Sequence, residues 1–469
     1  MKSTNKDSKE LNITTPPKNK GFKTKLDNLF KITQRGSSIK REFLGGLVNF
    51  LVLSYIMIVI PGIFSGVGGT GLWKALFVAT ILTTIISTIS MAFYANLPIV
   101  LAPGIGLASY VVQLIQTGAY SYAQAMTICF LAGVVFIIIT ITGLRQKIID
   151  AVPQCIKMAI PAGVGLFVLG IGMSSSNSGI LDLLNGTATS HAPVIAIFSL
   201  IVMSILYIKN VRGSIFIGIV SGTVLDVIVK LCMGQNPFLC LTQNSWAPPF
   251  ADLANNSLFV FDFGGLFSGN VVSVLLSVIL VIFAVLLIDL FDSVGTLYAT
   301  AQKGNLLDEN GKVLNINKAM LIDGGGALFS TCLGLPNATS YVESSAGIAS
   351  GARTGLSGIF TSMFFFLSLF ISPIIMLIPV YATAPALILV GVLMFDSVVK
   401  IDYKDLSTCF PAILTIIVMP LTNNITFGIA SGLITYTLIN LFTGNHKKIN
   451  VFTYVITALF ILYFIMQYV

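Results

Sequence analysis

Apolar runs of about twenty residues, parted by short polar stretches, recur along all 469 residues of this chain. At 1.5 Å of rise per residue, a helix of that length crosses the roughly 30 Å of hydrocarbon in a bilayer. The pattern predicts seven segments at 44–64, 73–95, 97–117, 121–143, 147–173, 192–209 and 213–232, and seven more at 271–300, 316–334, 337–352, 355–379, 383–399, 405–421 and 425–443. The first set occupies 44–233 and the second 271–443, with 234–270 between them as a loop. A further apolar stretch at 450–468 lies outside both sets, in a C-terminal piece covering 444–469. Composition agrees: 55% of residues are hydrophobic, 9% are charged and mean hydropathy is +0.93, far from the values of a soluble globular chain. The expected fold class is an all-α polytopic membrane protein.

Charge orients the segments. Residues 1–43 hold eleven Lys or Arg against four Asp or Glu, which accounts for seven of the eight net positive charges. They lack the apolar core of a secretory signal. A basic tail beside a first span keeps the N-terminus cytoplasmic and is attracted by anionic headgroups. Its lysines come without the stacking aromatics of a nucleic-acid surface, so no nucleic acid is expected. Further basic residues follow segments four (Arg145, Lys147, Lys157), six (Lys209, Arg212), eight (Lys303, Lys312, Lys318), ten (Arg353), twelve (Lys400, Lys404) and fourteen (Lys447, Lys448). If every segment crosses, all these turns share the side of the N-terminus. The opposite loops hold little beyond Lys74, and no Lys or Arg occurs from 231 through 302, so 234–270 is expected to be extracellular. The expected location is the cell membrane, with the bilayer itself as a partner.

Seven crossings per set make the second set enter from the other side, so the halves are related by inversion. Ile217-Gly218-Ile219-Val220-Ser221-Gly222 in segment seven returns as Phe427-Gly428-Ile429-Ala430-Ser431-Gly432 in segment fourteen. Inverted-repeat transporters bind substrate near the midplane, between helices interrupted by Gly or Pro. Two segments are interrupted in this way. Segment three reads Leu97-Pro98-Ile99-Val100-Leu101-Ala102-Pro103-Gly104-Ile105-Gly106-Leu107-Ala108-Ser109-Tyr110, and segment ten, at the matching place, opens Leu335-Pro336-Asn337-Ala338-Thr339-Ser340-Tyr341-Val342-Glu343-Ser344-Ser345-Ala346-Gly347. In each, an extended stretch is expected to hand over to a short helix, with two tightly packed Gly-rich helices as the alternative. Non-helical backbone at that depth survives only inside protein or against a wet cavity. Helix N-termini opening there would aim unpaired N–H groups at a ligand.

Asp289, Asp292, Asp323 and Glu343 lie in or beside apolar runs within about 55 positions. An ionisable group at the centre of a membrane helix costs at least ~2.5–3.5 kcal/mol, and its default reading is a substrate or ion site. Asp289 and Asp292, three apart, share a helix face and are expected to look into one cavity. Asp323, in segment nine, is read as a hydrogen-bond partner behind the site, with a helix end in water as the alternative. Other chemistry is thin. His191 and His446 are the only histidines, both in predicted loops, so no metal site or His-based catalysis is expected. There is no P-loop, hence no ATP-driven pump. No nucleophile–base pair marks an enzyme, and no cofactor is implied. Cys232 and Cys240 flank one external loop as a possible pair, while Cys129, Cys155, Cys332 and Cys409 read as small buried hydrophobes.

Several strings carry a resemblance. They are Thr339-Ser340-Tyr341-Val342-Glu343-Ser344-Ser345-Ala346-Gly347-Ile348 with Arg353-Thr354-Gly355-Leu356, Asp289-Leu290-Phe291-Asp292-Ser293-Val294-Gly295-Thr296, Leu97-Pro98 with Leu101-Ala102-Pro103-Gly104, Arg41-Glu42-Phe43-Leu44-Gly45-Gly46, and Ala382-Thr383-Ala384-Pro385-Ala386-Leu387. From about 40 to 443 the chain resembles the hypoxanthine, adenine and guanine permeases of the AzgA-like branch of the nucleobase transporters. The resemblance implies a fold similar to the uracil and xanthine permeases: an inverted seven-plus-seven repeat with short strands in segments three and ten, a core (about 44–143 with 271–379) moving against a gate (about 147–233 with 383–443), and a homodimer. It implies a purine nucleobase as substrate, with Glu343 hydrogen-bonding the ring. Asp292 and Asp289 would form the opposing side and the proton-linked switch, and Gly104, Gly106, Ala108, Ser109, Thr339 and Ser340 would line the site. The residues support this independently. A carboxylate accepts two parallel N–H bonds such as a purine edge presents, and it repels an anion. Two like charges held out of water favour proton uptake coupled to binding, with sodium as the other candidate ion.

Two positions depart from the family pattern. Ala108 stands where relatives carry Asn, and Ile60-Pro61 stands where they carry Asn-Pro. Both remove polar groups expected at the site, so the preferred purine is left open. Ser109 is the adjacent hydroxyl but points ~100° away on a helix. An Asn at 108 is therefore expected to change the ranking among purines. Uracil, xanthine, or an anion of the sulfate or bicarbonate type carried on the same fold are the alternatives. Anion carriers rely on helix dipoles and basic groups, which Glu343 and Asp292 oppose.

Overall fold

The computed structural model describes residues 22–143, 152–174, 178–211, 213–238, 247–267, 271–304, 306, 313–375, 377–422, 424–445 and 449–468. Positions 1–21 of the basic tail, Arg145, Lys147, Arg212, Lys312, Lys447, Lys448, Cys240 and His446 lie outside the described residues.

Every apolar run becomes a helix or an interrupted helix. In the first half these are Ile39–Leu53 with Ile56–Ile63 (segment one), Gly69–Ser90 (two), Ile105–Gln116 (three), Tyr122–Thr142 (four), Gln154–Met173 (five), Ala192–Ile208 (six) and Ser214–Cys232 (seven). In the second half they are Val271–Gly304 (eight), Ile316–Cys332 (nine), Ser344–Ala349 (ten), Leu356–Ser368 (eleven), Val380–Met394 (twelve), Leu406–Thr422 (thirteen) and Ile425–Phe442 (fourteen). Local chemistry sets several ends. Ser121 and Gln124 form a reciprocal cap that starts segment four, Gly143 at φ 70° ends it, and Asn424 caps segment fourteen through the N–H of Thr426 and Phe427. Among the described residues eight helices are long and apolar enough to cross a membrane, and segments three and ten fall short because they are interrupted.

The inverted relation shows in packing. In segment seven Ser221 donates to the carbonyl of Gly218 at 2.7 Å, and in segment fourteen Ser431 donates to that of Gly428 at 2.8 Å. Each of these glycines lies against a methionine of the preceding segment, Gly218 on Met203 and Gly428 on Met419, closer than any side chain would allow. Four residues on, Gly222 meets Ser199 and Gly432 meets Thr415, four residues before those methionines. The sequence echo is thus one helix-pair interface built twice. The chain is a polytopic inverted seven-plus-seven repeat.

Segments five, six, seven, twelve, thirteen and fourteen pack on one another, as do segments one to four with eight to eleven. Contacts between the two groups include segment five with three and eight, and segment eight with fourteen. The stretch after segment fourteen forms a helix, Val451–Tyr468. It lies on segments eight and fourteen, with Thr437 and Thr457 hydrogen-bonded at 2.8 Å. Part of the tail is built in as well: Phe22–Phe30 is a helix, and Phe30 and Ile32 are buried beside Leu356.

Candidate functional site

Segments three and ten cross as extended chain. Strands β1 (Leu101–Pro103) and β2 (Ala338–Ser340) pair antiparallel, with Leu101 opposite Ser340, Ala102 opposite Thr339 and Pro103 opposite Ala338. Prolines 98, 103 and 336 keep this backbone from becoming helix. Its polar groups then need partners, since each one left bare would cost about 1–3 kcal/mol. Gly104 N donates to Asn337 O at 3.1 Å and Tyr341 N to Val100 O at 3.0 Å. Side chains complete the set: Leu101 N donates to Thr88 Oγ1 at 3.1 Å, Val100 N to Ser344 Oγ at 3.0 Å, and Ser330 Oγ to Pro336 O at 2.5 Å.

Beside this crossing lies a cavity. One wall carries the polar side chains: Asp292 and Thr296 from segment eight, beside Ile288; Thr339, Ser340, Tyr341 and Glu343 from segment ten, beside Val342; and Gly104 to Leu107, where the segment-three helix starts. The facing wall is apolar, made by Ile160, Pro161 and Val164 of segment five and Val390 and Met394 of segment twelve. No Lys, Arg or His is among the described residues that line it. Through Val342, Glu343, Val390 and Met394 it meets a wider vestibule that also touches Tyr207 at the end of segment six, Asn210 in the turn after it and Asp396 in the turn after segment twelve.

The expected site residues divide. Glu343, Asp292, Gly104, Gly106, Thr339 and Ser340 line the cavity. Asp289 does not: it is buried and accepts from Asn337 Nδ2 at 2.9 Å, while its second oxygen has no hydrogen-bond partner among the described residues. Ala108 and Ser109 are buried and absent from the lining. They belong to the same short helix, of which Ile105, Gly106 and Leu107 line the cavity. Asp323 is buried behind the crossing, taking hydrogen bonds from Ser293 Oγ and, at 3.0 Å, from Ser340 Oγ.

Three residues escaped the sequence reading. Tyr55 is buried where segment one is interrupted, and its hydroxyl donates to Glu343 Oε1 at 3.0 Å. Glu42, counted with the tail, lies in the first helix and accepts from Arg353 N at 2.9 Å and Thr354 N at 3.4 Å, capping the link from segment ten to eleven. Asp226 of segment seven is buried with Lys230 at 2.7 Å, His191 at 3.5 Å and the Tyr381 hydroxyl at 2.6 Å. For Asp226 the signal was available: an acid inside an apolar run with Lys four residues on. Tyr55 carried none, because a tyrosine in an apolar run is ordinary. Of the cysteines, Cys129, Cys155 and Cys409 are buried, Cys332 is partly so and Cys232 is exposed.

Comparison with known proteins places this site in context. The Xan_ur_permease model, described as a permease family, matches residues 40–431. The guanine/hypoxanthine permease PbuO of Bacillus subtilis is 33% identical over 92% of this chain and 98% of its own length. The adenine permease AdeQ of Escherichia coli is 31% identical over 93% and 95%. Among solved structures, the transmembrane domain of the cyanobacterial bicarbonate transporter BicA superposes with a TM-score of 0.61 at 15% identity, covering 84% of this chain and 97% of that one. That likeness is one of fold.

Proposed function

As a member of the permease family, to which it belongs from residue 40 to 431, the protein is a transporter and not an enzyme, and we propose that its cargo is a purine nucleobase. The observation that carries this reading is the division of the cavity, with Glu343 and Asp292 on a polar wall and an apolar wall opposite. A neutral planar base is divided the same way, with N–H and C=O groups round its edge and apolar faces. An anion would meet two acids and no basic side chain. Relatives named guanine/hypoxanthine and adenine permeases support the same class.

Transport is read as secondary active uptake with protons, through Asp292, Asp289 and Glu343, because a proton entering with the base neutralises one of several acids crowded in a low-dielectric site. Segments one to four with eight to eleven serve as the core and segments five to seven with twelve to fourteen as the gate. The core carries the polar wall and slides, elevator-like, along the gate, whose apolar wall makes no hydrogen bonds with the acids; the bond between Tyr110 of segment three and Thr426 of segment fourteen would have to break. The vestibule opens on the side that the basic turns assign to the cytoplasm, so this conformation faces inward. The N-terminus is cytoplasmic, the membrane is the cell membrane, and the protein works as a homodimer.

Uptake of labelled hypoxanthine in cells stripped of their own base carriers tests the reading. Transport should rise from pH 8 toward 6, collapse with a protonophore, and vanish in Glu343→Ala while the protein still reaches the membrane. Near-normal uptake by that variant would refute the role of Glu343, and indifference to pH and protonophore would refute proton coupling.

A further inference from the structure

Tyr55 is fully buried between the helices Ile39–Leu53 and Ile56–Ile63, and the interruption between them fixes where its ring points. It does not line the cavity, so it acts through Glu343, for which it is the one side-chain hydrogen-bond partner among the described residues. Glu343 itself reaches both cavity and vestibule.

We propose that Tyr55 is a specificity-determining positioning residue: it engages Oε1 of Glu343 and leaves Oε2 as the stronger acceptor the base meets, so the site favours one ring N–H over an adjacent pair. This rests on the purine reading and extends it from substrate class to ranking. Hypoxanthine and guanine share the 6-oxo group and the N1–H. Guanine adds a 2-amino group next to N1–H, so it alone of the two can offer a carboxylate two parallel N–H bonds. With one lone pair of Oε1 taken by Tyr55, that oxygen is a weaker acceptor for the amino group, and the advantage of guanine there is reduced.

Competition by unlabelled guanine and hypoxanthine, in cells and with the purified full-length protein, tests the proposal. In the unmodified protein the two bases should compete within ~3-fold of each other, far from the ~100-fold or larger rejection shown by a site built round a donor that one ligand lacks. In Tyr55→Phe the freed oxygen should shift the ratio toward guanine by about tenfold, the size of one hydrogen bond. The ratio is the readout, because a merely structural role would weaken both bases alike. An unchanged ratio in the variant overturns the inference. A guanine preference of ~100-fold or more in the unmodified protein also overturns it, and that measurement needs no variant. Failure of both bases to compete with any transported solute would instead overturn the purine reading beneath it.

Discussion

Ala108 shows how a family position can keep its number and lose its meaning. With Asn expected there, the absence of a polar group looked like a change in specificity; in the structure Ala108 is buried and is not among the residues that line the cavity, whose wall includes Gly104 to Leu107. Its neighbour Ser109 has a buried hydroxyl with no hydrogen-bond partner, so the pocket behind the helix is tight and poorly supplied with partners. Ala108→Asn should therefore lower the thermal stability of the purified protein, by about 1–3 kcal/mol from overpacking, and leave the competition profile of the purines unchanged. A shifted ranking at full stability would mean that position 108 does reach the base. On the proposed reading, specificity instead falls to Glu343 and the hydroxyl that holds it. The carboxylate was legible in the sequence because acids are rare in apolar runs. Its partner was not, because which oxygen a tyrosine 288 positions away will occupy is a matter of tertiary geometry.

The spans, the two interruptions and the inversion were readable because they are local: apolar length, Pro and Gly placement, and charge in the turns. Pointing directions were less so. Asp289 and Asp292 are about 60° apart round one helix, close enough to predict a shared face. That difference sends Asp292 to the cavity and Asp289 to Asn337. The tail was read only as charge, yet its described part is a strap. Arg35 donates from Nη1 to the carbonyls of Asn96 and, at 3.0 Å, Arg353. Asn96 in turn donates to Phe30 O at 2.8 Å and accepts from Gly355 N at 2.8 Å. One element thus ties the end of segment two to the link between segments ten and eleven. Arg35→Ala should cost about 1.5–3 kcal/mol, the range for hydrogen bonds to a charged group, and lower the melting temperature. Lys25→Ala removes the same charge from an exposed position of the tail and should do neither. Equal effects of the two would return the tail to a role of charge alone.

The proposed motion between the two groups of helices that share the cavity is the central mechanical question. The polar wall belongs to segments three, eight and ten, the apolar wall to five and twelve, so any sliding of one group on the other carries the acids past a surface that makes no hydrogen bonds with them. One close approach across that boundary is between segments three and five, where a Cβ built on Gly106 would stand 2.7 Å from Cγ1 of Val164. Since Cγ1 is one bond beyond the Val164 Cβ, the two β-carbons fall within about 4.5 Å, the range a disulfide spans. Gly106→Cys with Val164→Cys should accordingly cross-link on oxidation and pin core to gate. Uptake in the oxidised double variant should fall to background and return when the bond is reduced, the reduced protein serving as its own reference for any harm done by the substitutions. Single-cysteine variants under the same oxidant exclude the native thiols at 129, 155, 232, 240, 332 and 409. If uptake continues in protein shown by mass to be fully cross-linked, segments three and five travel together, and the boundary of the moving body must be drawn elsewhere.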